Sequence, residues 1–116
     1  MAVGPPPVSE MLATVKSREI QRALLAEMAR DREAAVRHFL AAAHLELVLA
    51  SDYQAANDPD LAWRSAISAA SCFWRAGQQD KARQVFASLT RSNPAETDAI
   101  QSLQDELARD YPALAS

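Results

Sequence analysis

At 116 residues, 49% hydrophobic and with 25 alanines but only 2 glycines, the chain has room for one domain with a modest core of small side chains, and its composition favours closely packed helices. A formal net charge of −3 excludes a basic footprint spread over the whole surface, so nucleic acid is not an expected partner. Cys72 is the one cysteine, which excludes an internal disulfide and leaves no sign of an oxidising compartment.

The charge is unevenly spread. Residues 61–92 carry Arg64, Arg75, Lys81, Arg83 and Arg91 against Asp80, whereas residues 93–116 carry Glu96, Asp98, Asp105, Glu106 and Asp110 against Arg109. The middle is basic and the C-terminal part acidic. The start, MAVGPPPVSEM, has neither a basic nor an apolar leader segment, and the apolar run from Phe39 to Ala50 is broken by His44 and Glu46. The expectation is no signal peptide, no membrane span and, by default, a cytoplasmic location.

In chain order, Pro5, Pro6 and Pro7 lock φ and remove donors, which predicts an extended arm over residues 1–8. Ser9 is the expected N-cap of a first helix running to about Arg30, with Leu12, Val15, Ile20, Leu24 and Met28, supplemented by Ala13 and Ala23, on its inner face. Glycine and proline are absent from Glu10 to Ser51, a span too long for one ordinary globular helix. Asp31 is the best break, the alternative being one continuous kinked helix. A second helix then carries Ala35, Val36, Phe39, Leu40, Ala43, Leu47 and Ala50 on one face, widened by Leu45, Val48 and Leu49, and is expected to be the most buried element.

Residues 51–60 read as a linker whose first half can extend the second helix. Asp58 before Pro59 supplies an N-cap and a first-turn proline for a third helix, which should end at Gly77, where glycine can take the left-handed conformation. An antiparallel fourth helix from about Gln79 to Arg91 buries Ala82, Val85, Phe86 and Leu89. Asn93, Pro94 and Glu96 then predict the start of a last helix with one apolar seam of Ile100, Leu103 and Leu107, continued by Tyr111 and Leu114. The fold class is therefore all-α, an antiparallel array of about five helices in a single domain over residues 9–116.

Counted from Trp63, the residues Ala70, Phe73, Gly77, Ala82, Phe86 and Pro94 stand where the tetratricopeptide repeat, a helix–turn–helix unit of about 34 residues, has small, aromatic, turn, small, aromatic and proline positions. The stretch 63–96 thus resembles one regular tetratricopeptide repeat. Ala66 and Ala69 depart from it, standing where the repeat has Trp and Leu. Ile100, Leu103 and Leu107 extend the match into a capping helix. Upstream, Ala23, Ala35, Phe39 and Ala42 fit a degenerate repeat, while Glu19 and Arg22 do not. The resemblance implies a right-handed superhelical array that binds a partner protein or peptide in a concave groove. Carried over residue by residue, the groove would be lined by Arg64, Ile67, Ser71, Trp74 and Arg75, with Ser17, Ile20, Leu24, Glu27 and Met28 from the degenerate unit.

A tryptophan between two arginines suits an acidic peptide; the other reading of Trp74 is that it packs against the second or last helix. Ile67 and Ser71 stand where the chaperone-binding subtype of the family has a Lys and Asn clamp, which disfavours that activity. His38 and His44 point to different faces and imply no shared metal. Cys72 reads as a small buried hydrophobe. With no nucleophile elbow, phosphate loop or paired carboxylates, no cofactor and no catalysis are expected. The competing hypotheses are a helical bundle whose main role is homo-oligomerisation, with a homodimer stabilising so short an array, and a small regulatory sensor subunit with a pocket beside the second helix.

Overall fold

A computed structural model describes residues 7–112 as five α-helices and one 3-10 turn, with no strand among them: α1 Pro7–Met28, α2 Arg32–Ala55, α3 Pro59–Arg75, α4 Gln79–Ser92, the turn Pro94–Glu96, and α5 Thr97–Asp110. The all-α class holds. Each helix packs chiefly on the one before it, α2 on α1, α3 on α2 and α4 on α3, while α5 lies over α3 and α4. The result is a slab of 52 × 31 × 17 Å.

Three turns set this layering, and they share one geometry. Arg30, Asn57 and Gly77 each adopt positive φ, at 58°, 62° and 83°. After each, the next amide reaches back across the closing turn: Asp31 to the Ala26 carbonyl at 2.9 Å, Asp58 to Tyr53 at 2.9 Å and Gln78 to Phe73 at 2.8 Å. These satisfy the carbonyls that a helix end leaves bare. The following helix starts at once, because Asp31 accepts from the Ala34 amide and Asp58 from the Leu61 amide. The break at Asp31 is therefore real, and it is glycine-free because Arg30 takes the left-handed conformation at a cost of about 1–2 kcal/mol.

Several boundaries differ from the sequence expectation. Pro7 and Val8 belong to α1 and not to the arm; the rest of the expected arm, residues 1–6, lies outside the described residues. Ser9 is not a cap. Its side chain is fully buried and donates to Asp52 Oδ2 at 3.1 Å, tying the start of α1 to the end of α2. Asn93 and Pro94 start a 3-10 turn instead of α5 itself, with the Thr97 hydroxyl donating to the Pro94 carbonyl at 2.7 Å. Leu114 falls outside the described residues.

The inner faces also turn out rotated. In α1 Ala23 is buried and Ile20 packs on the core, but Val15, Leu24 and Met28 point outward, at 42, 40 and 81% exposed. In α2 the buried set is Ala35, Phe39, Ala42, Ala43, Glu46 and Leu49, with Leu47 and Val48 exposed. The reason is that α2 is covered on two flanks by α1 and α3, so small alanines that allow close approach go inside and bulk is pushed out. The most buried element is α3, not α2, since seven of its 17 residues are buried against six of 24. Among the described residues α2 is the one helix long and apolar enough to cross a membrane, and here it serves as the middle helix of the stack. Ala69 and Ala70, both fully buried, give α3 the same close approach from its side.

Candidate functional site

Although α1 and α3 both lie on α2, no Cα of one comes within 8 Å of a Cα of the other. Between them runs a cleft whose floor is α2. At one end it widens to a cavity of about 300 Å³, bounded by Lys16 of α1, by Glu46, Leu49 and Tyr53 of α2, and by Leu61, Arg64, Ser65 and Ser68 of α3. Glu46 arrives there because it falls on the helical stripe of Phe39, Ala42, Ala43 and Leu49. A carboxylate in such a stripe costs several kcal/mol unless it is paired. The Lys16 Nζ stands 3.6 Å from Glu46 Oε2, with Glu46 only 2% exposed. Glu46 Oε1 is buried and has no hydrogen-bond partner among the described residues.

The five expected groove residues share one stripe of α3 but are not exposed together, since only Arg64 is open to solvent and Trp74 is buried. Arg64 is exposed on the cavity rim, and among the described residues it pairs with no carboxylate. Ile67 is half-buried against the core, and the Ser71 hydroxyl is spent on the Ile67 carbonyl at 3.0 Å. Trp74 is 3% exposed. Its indole N–H donates to the Tyr111 carbonyl at 3.2 Å, and the Arg83 guanidinium covers its ring at 5.0 Å from the centroid. It packs against the end of the last helix. Arg75 lies between the rings of Phe39 and Tyr111, at 5.8 and 5.6 Å, while its carbonyl accepts from Arg32 at 2.9 Å. Of the upstream set, Ser17, Leu24 and Met28 are exposed, Ile20 is half-buried, and Glu27 accepts from the Tyr111 hydroxyl at 3.1 Å.

Tyr111 thereby closes the far end of the cleft, joining α1, α3 and the last turn of α5. Burial, followed by the hydrogen bond to Glu27, raises its hydroxyl pKa. A second and larger cavity of about 500 Å³ lies beyond this closure, at the α3–α4 turn, among Arg32, Trp74, Gly77, Gln79, Arg83 and Tyr111. The residues missed by sequence reasoning are Lys16, Glu46, Tyr53, Ser65 and Ser68. Glu46 alone carried a signal, as the one acid inside the apolar run from Phe39 to Ala50.

The two histidines serve different contacts. His38 Nδ1 meets Glu19 Oε2 at 2.6 Å between α1 and α2, and that bond, ahead of the opposing effect of burial, lowers the Glu19 pKa. His44 sets its ring edge-on to Phe73 at 5.3 Å. Cys72 is buried beside the cleft, and desolvation, aided by the Glu46 charge, raises its thiol to about 11. A thiol so placed is almost wholly protonated at neutral pH and unreactive. Iodoacetamide is therefore expected to leave Cys72 unmodified in the native protein and to alkylate it in denaturant, as read by mass spectrometry; rapid native labelling would show that this part of α3 opens.

Compared with protein-family models, curated proteins and solved structures, the chain matches none.

Proposed function

We propose that the chain is a non-catalytic, tetratricopeptide-like interaction module that takes an acidic peptide in the cleft between α1 and α3. The observation that carries this reading is the exposed guanidinium of Arg64, without a carboxylate partner among the described residues, at the rim of a cleft floored by α2. Ser65 and Ser68 add hydroxyls beside it, while Leu49 and Leu61 provide apolar wall. Arginine forks match carboxylates in two bonds at once. Among the residues that bound the cavity Glu46 is the one carboxylate and Lys16 stands 3.6 Å from it, while the nearby thiol is held protonated.

The test is fluorescence anisotropy with labelled peptides of acidic and matched neutral sequence. Wild type is expected to prefer the acidic peptides. Arg64→Glu should weaken them by roughly tenfold to a hundredfold, the value of one or two charge-assisted bonds, with the far-UV circular dichroism unchanged. Equal binding by Arg64→Glu and wild type, or no preference for acidic sequences, would remove the cleft as the peptide site. The sensor reading rests on a different observation, the unpartnered Glu46 Oε1 at a cavity of about 300 Å³, and would require a small ligand that donates an N–H or O–H to it.

A further inference from the structure

The large apolar side chains left exposed among the described residues all belong to α1 and α2. On α1, Val8, Met11, Val15 and Leu25 are 62, 68, 42 and 63% exposed. Together with Arg18 and Arg22 they step along the helix at alternating three- and four-residue intervals, the spacing of a coiled-coil seam. Ser9 and Lys16, which bond to Asp52 and Glu46, mark the opposite side of α1 as the one facing α2. The seam therefore looks away from the fold, and Lys16 separates it from the peptide cleft.

We propose that this seam is a self-association surface on which two copies pair α1 against α1, antiparallel, about a twofold axis near residues 16 and 17. In that register Val8 faces Leu25 of the second copy, Met11 faces Arg22 and Val15 faces Arg18, and the same three contacts recur beyond the axis. The sequence of the seam reads apolar, apolar, apolar, arginine, arginine, apolar. Reversing it sets each arginine against an apolar residue, whose surface its aliphatic stem can cover. A parallel pair would instead place Arg18 on Arg18 and Arg22 on Arg22, two like-charge layers in a dry seam. One of the two charges is already compensated within each copy, because Arg22 holds Glu19 at 3.0 Å.

The area suits a small, weak contact with a second copy, below the standard size. Val8, Met11, Val15 and Leu25 expose on the order of 250 Å² of apolar side chain, from their exposed fractions and the area implied by full burial of such residues, and the stems of Arg18 and Arg22 add to it. One side of a standard interface is about 800 Å², a little over half of it apolar.

Sedimentation equilibrium on the full chain tests this with three forms. Wild type is expected to show a concentration-dependent dimer of the 12.6 kDa chain. Val15→Lys, which sets a second cation against Arg18 of the other copy, should weaken the dimer at least about tenfold with circular dichroism unchanged. Val15→Glu places a carboxylate against that same Arg18 and should leave the dimer as tight as wild type or tighter. A third measurement reads the direction: Val8→Cys mixed with Leu25→Cys should cross-link under oxidation, while neither variant cross-links alone. The proposal is overturned if wild type stays monomeric up to about 100 µM, or if Val15→Glu abolishes the dimer as fully as Val15→Lys. It is equally overturned by a dimer that forms only after residues 1–6 are removed, which would assign the seam to that segment.

Discussion

Replacing Trp74 with alanine is expected to cost about 3–5 kcal/mol of folding stability, the usual range for truncating a large aromatic in a packed core. The indole is 3% exposed and is covered by the Arg83 guanidinium. Its N–H bond to the Tyr111 carbonyl ties α3 to the end of α5, so the truncation also loosens the last helix. At roughly 4–8 °C per kcal/mol for a domain of this size, the melting temperature should fall by at least about 12 °C, read by circular dichroism or calorimetry. Trp74→Phe keeps most of the buried area and loses the donor. It should cost only about 1 kcal/mol, since Gln79 Nε2 still donates to the same carbonyl at 3.3 Å. A loss below about 0.5 kcal/mol for the alanine variant is what a surface residue would give, and would return Trp74 to a role in binding.

The second large effect is expected at Lys16. With Glu46 2% exposed and its Oε1 unpartnered, Lys16→Met leaves a buried carboxylate with no counter-charge and should cost about 2–4 kcal/mol in urea unfolding at neutral pH. The double variant Lys16→Met with Glu46→Met removes both charges and fills the cleft floor with flexible apolar side chains. It is expected to return to within about 1 kcal/mol of wild type or above it, because a buried pair is often no more stabilising than an apolar replacement. Equal stability of the single and double variants would mean that Glu46 is solvated from the cleft and needs no partner. The comparison also bears on function: an ion pair that the fold can do without is better explained by what the cleft receives.

Much of the fold was legible. The break at Asp31, the Asp58–Pro59 start and the Gly77 turn were all readable because capping is local chemistry: a side-chain oxygen meeting a free amide two or three residues on, or a residue that tolerates positive φ. Gly77 announces its turn by its type, and Asn57 could have been suspected, since asparagine visits the left-handed region more readily than most. Arg30 could not. Only the packing of α1 against α2 holds an arginine there.

The candidate site was less legible. Reading a groove from repeat positions found Arg64, but it also named Trp74 and Arg75, which the end of α5 draws into contacts with Tyr111. Those contacts join residues 37 and 36 apart in the chain, and no helical periodicity within α3 records them. Glu46 and Lys16 are a similar case, one residue on each of two helices, joined only when α1 and α2 pack.

What the sequence by itself determined is the helical class, the helix order and most of the places where one helix stops and the next begins, because those depend on alanine content, proline, glycine and caps acting within a few residues. What only the tertiary structure decided is which face of each helix is inside. An alanine-rich stripe is ambiguous: small side chains are indifferent to water on their own account and are buried because a neighbouring helix can come close over them. That neighbour is set by the three shared turns acting together, which rotate Val15, Leu24, Leu47 and Val48 outward and turn Glu46 in. The cleft and the exposed seam of α1 are both consequences of that rotation.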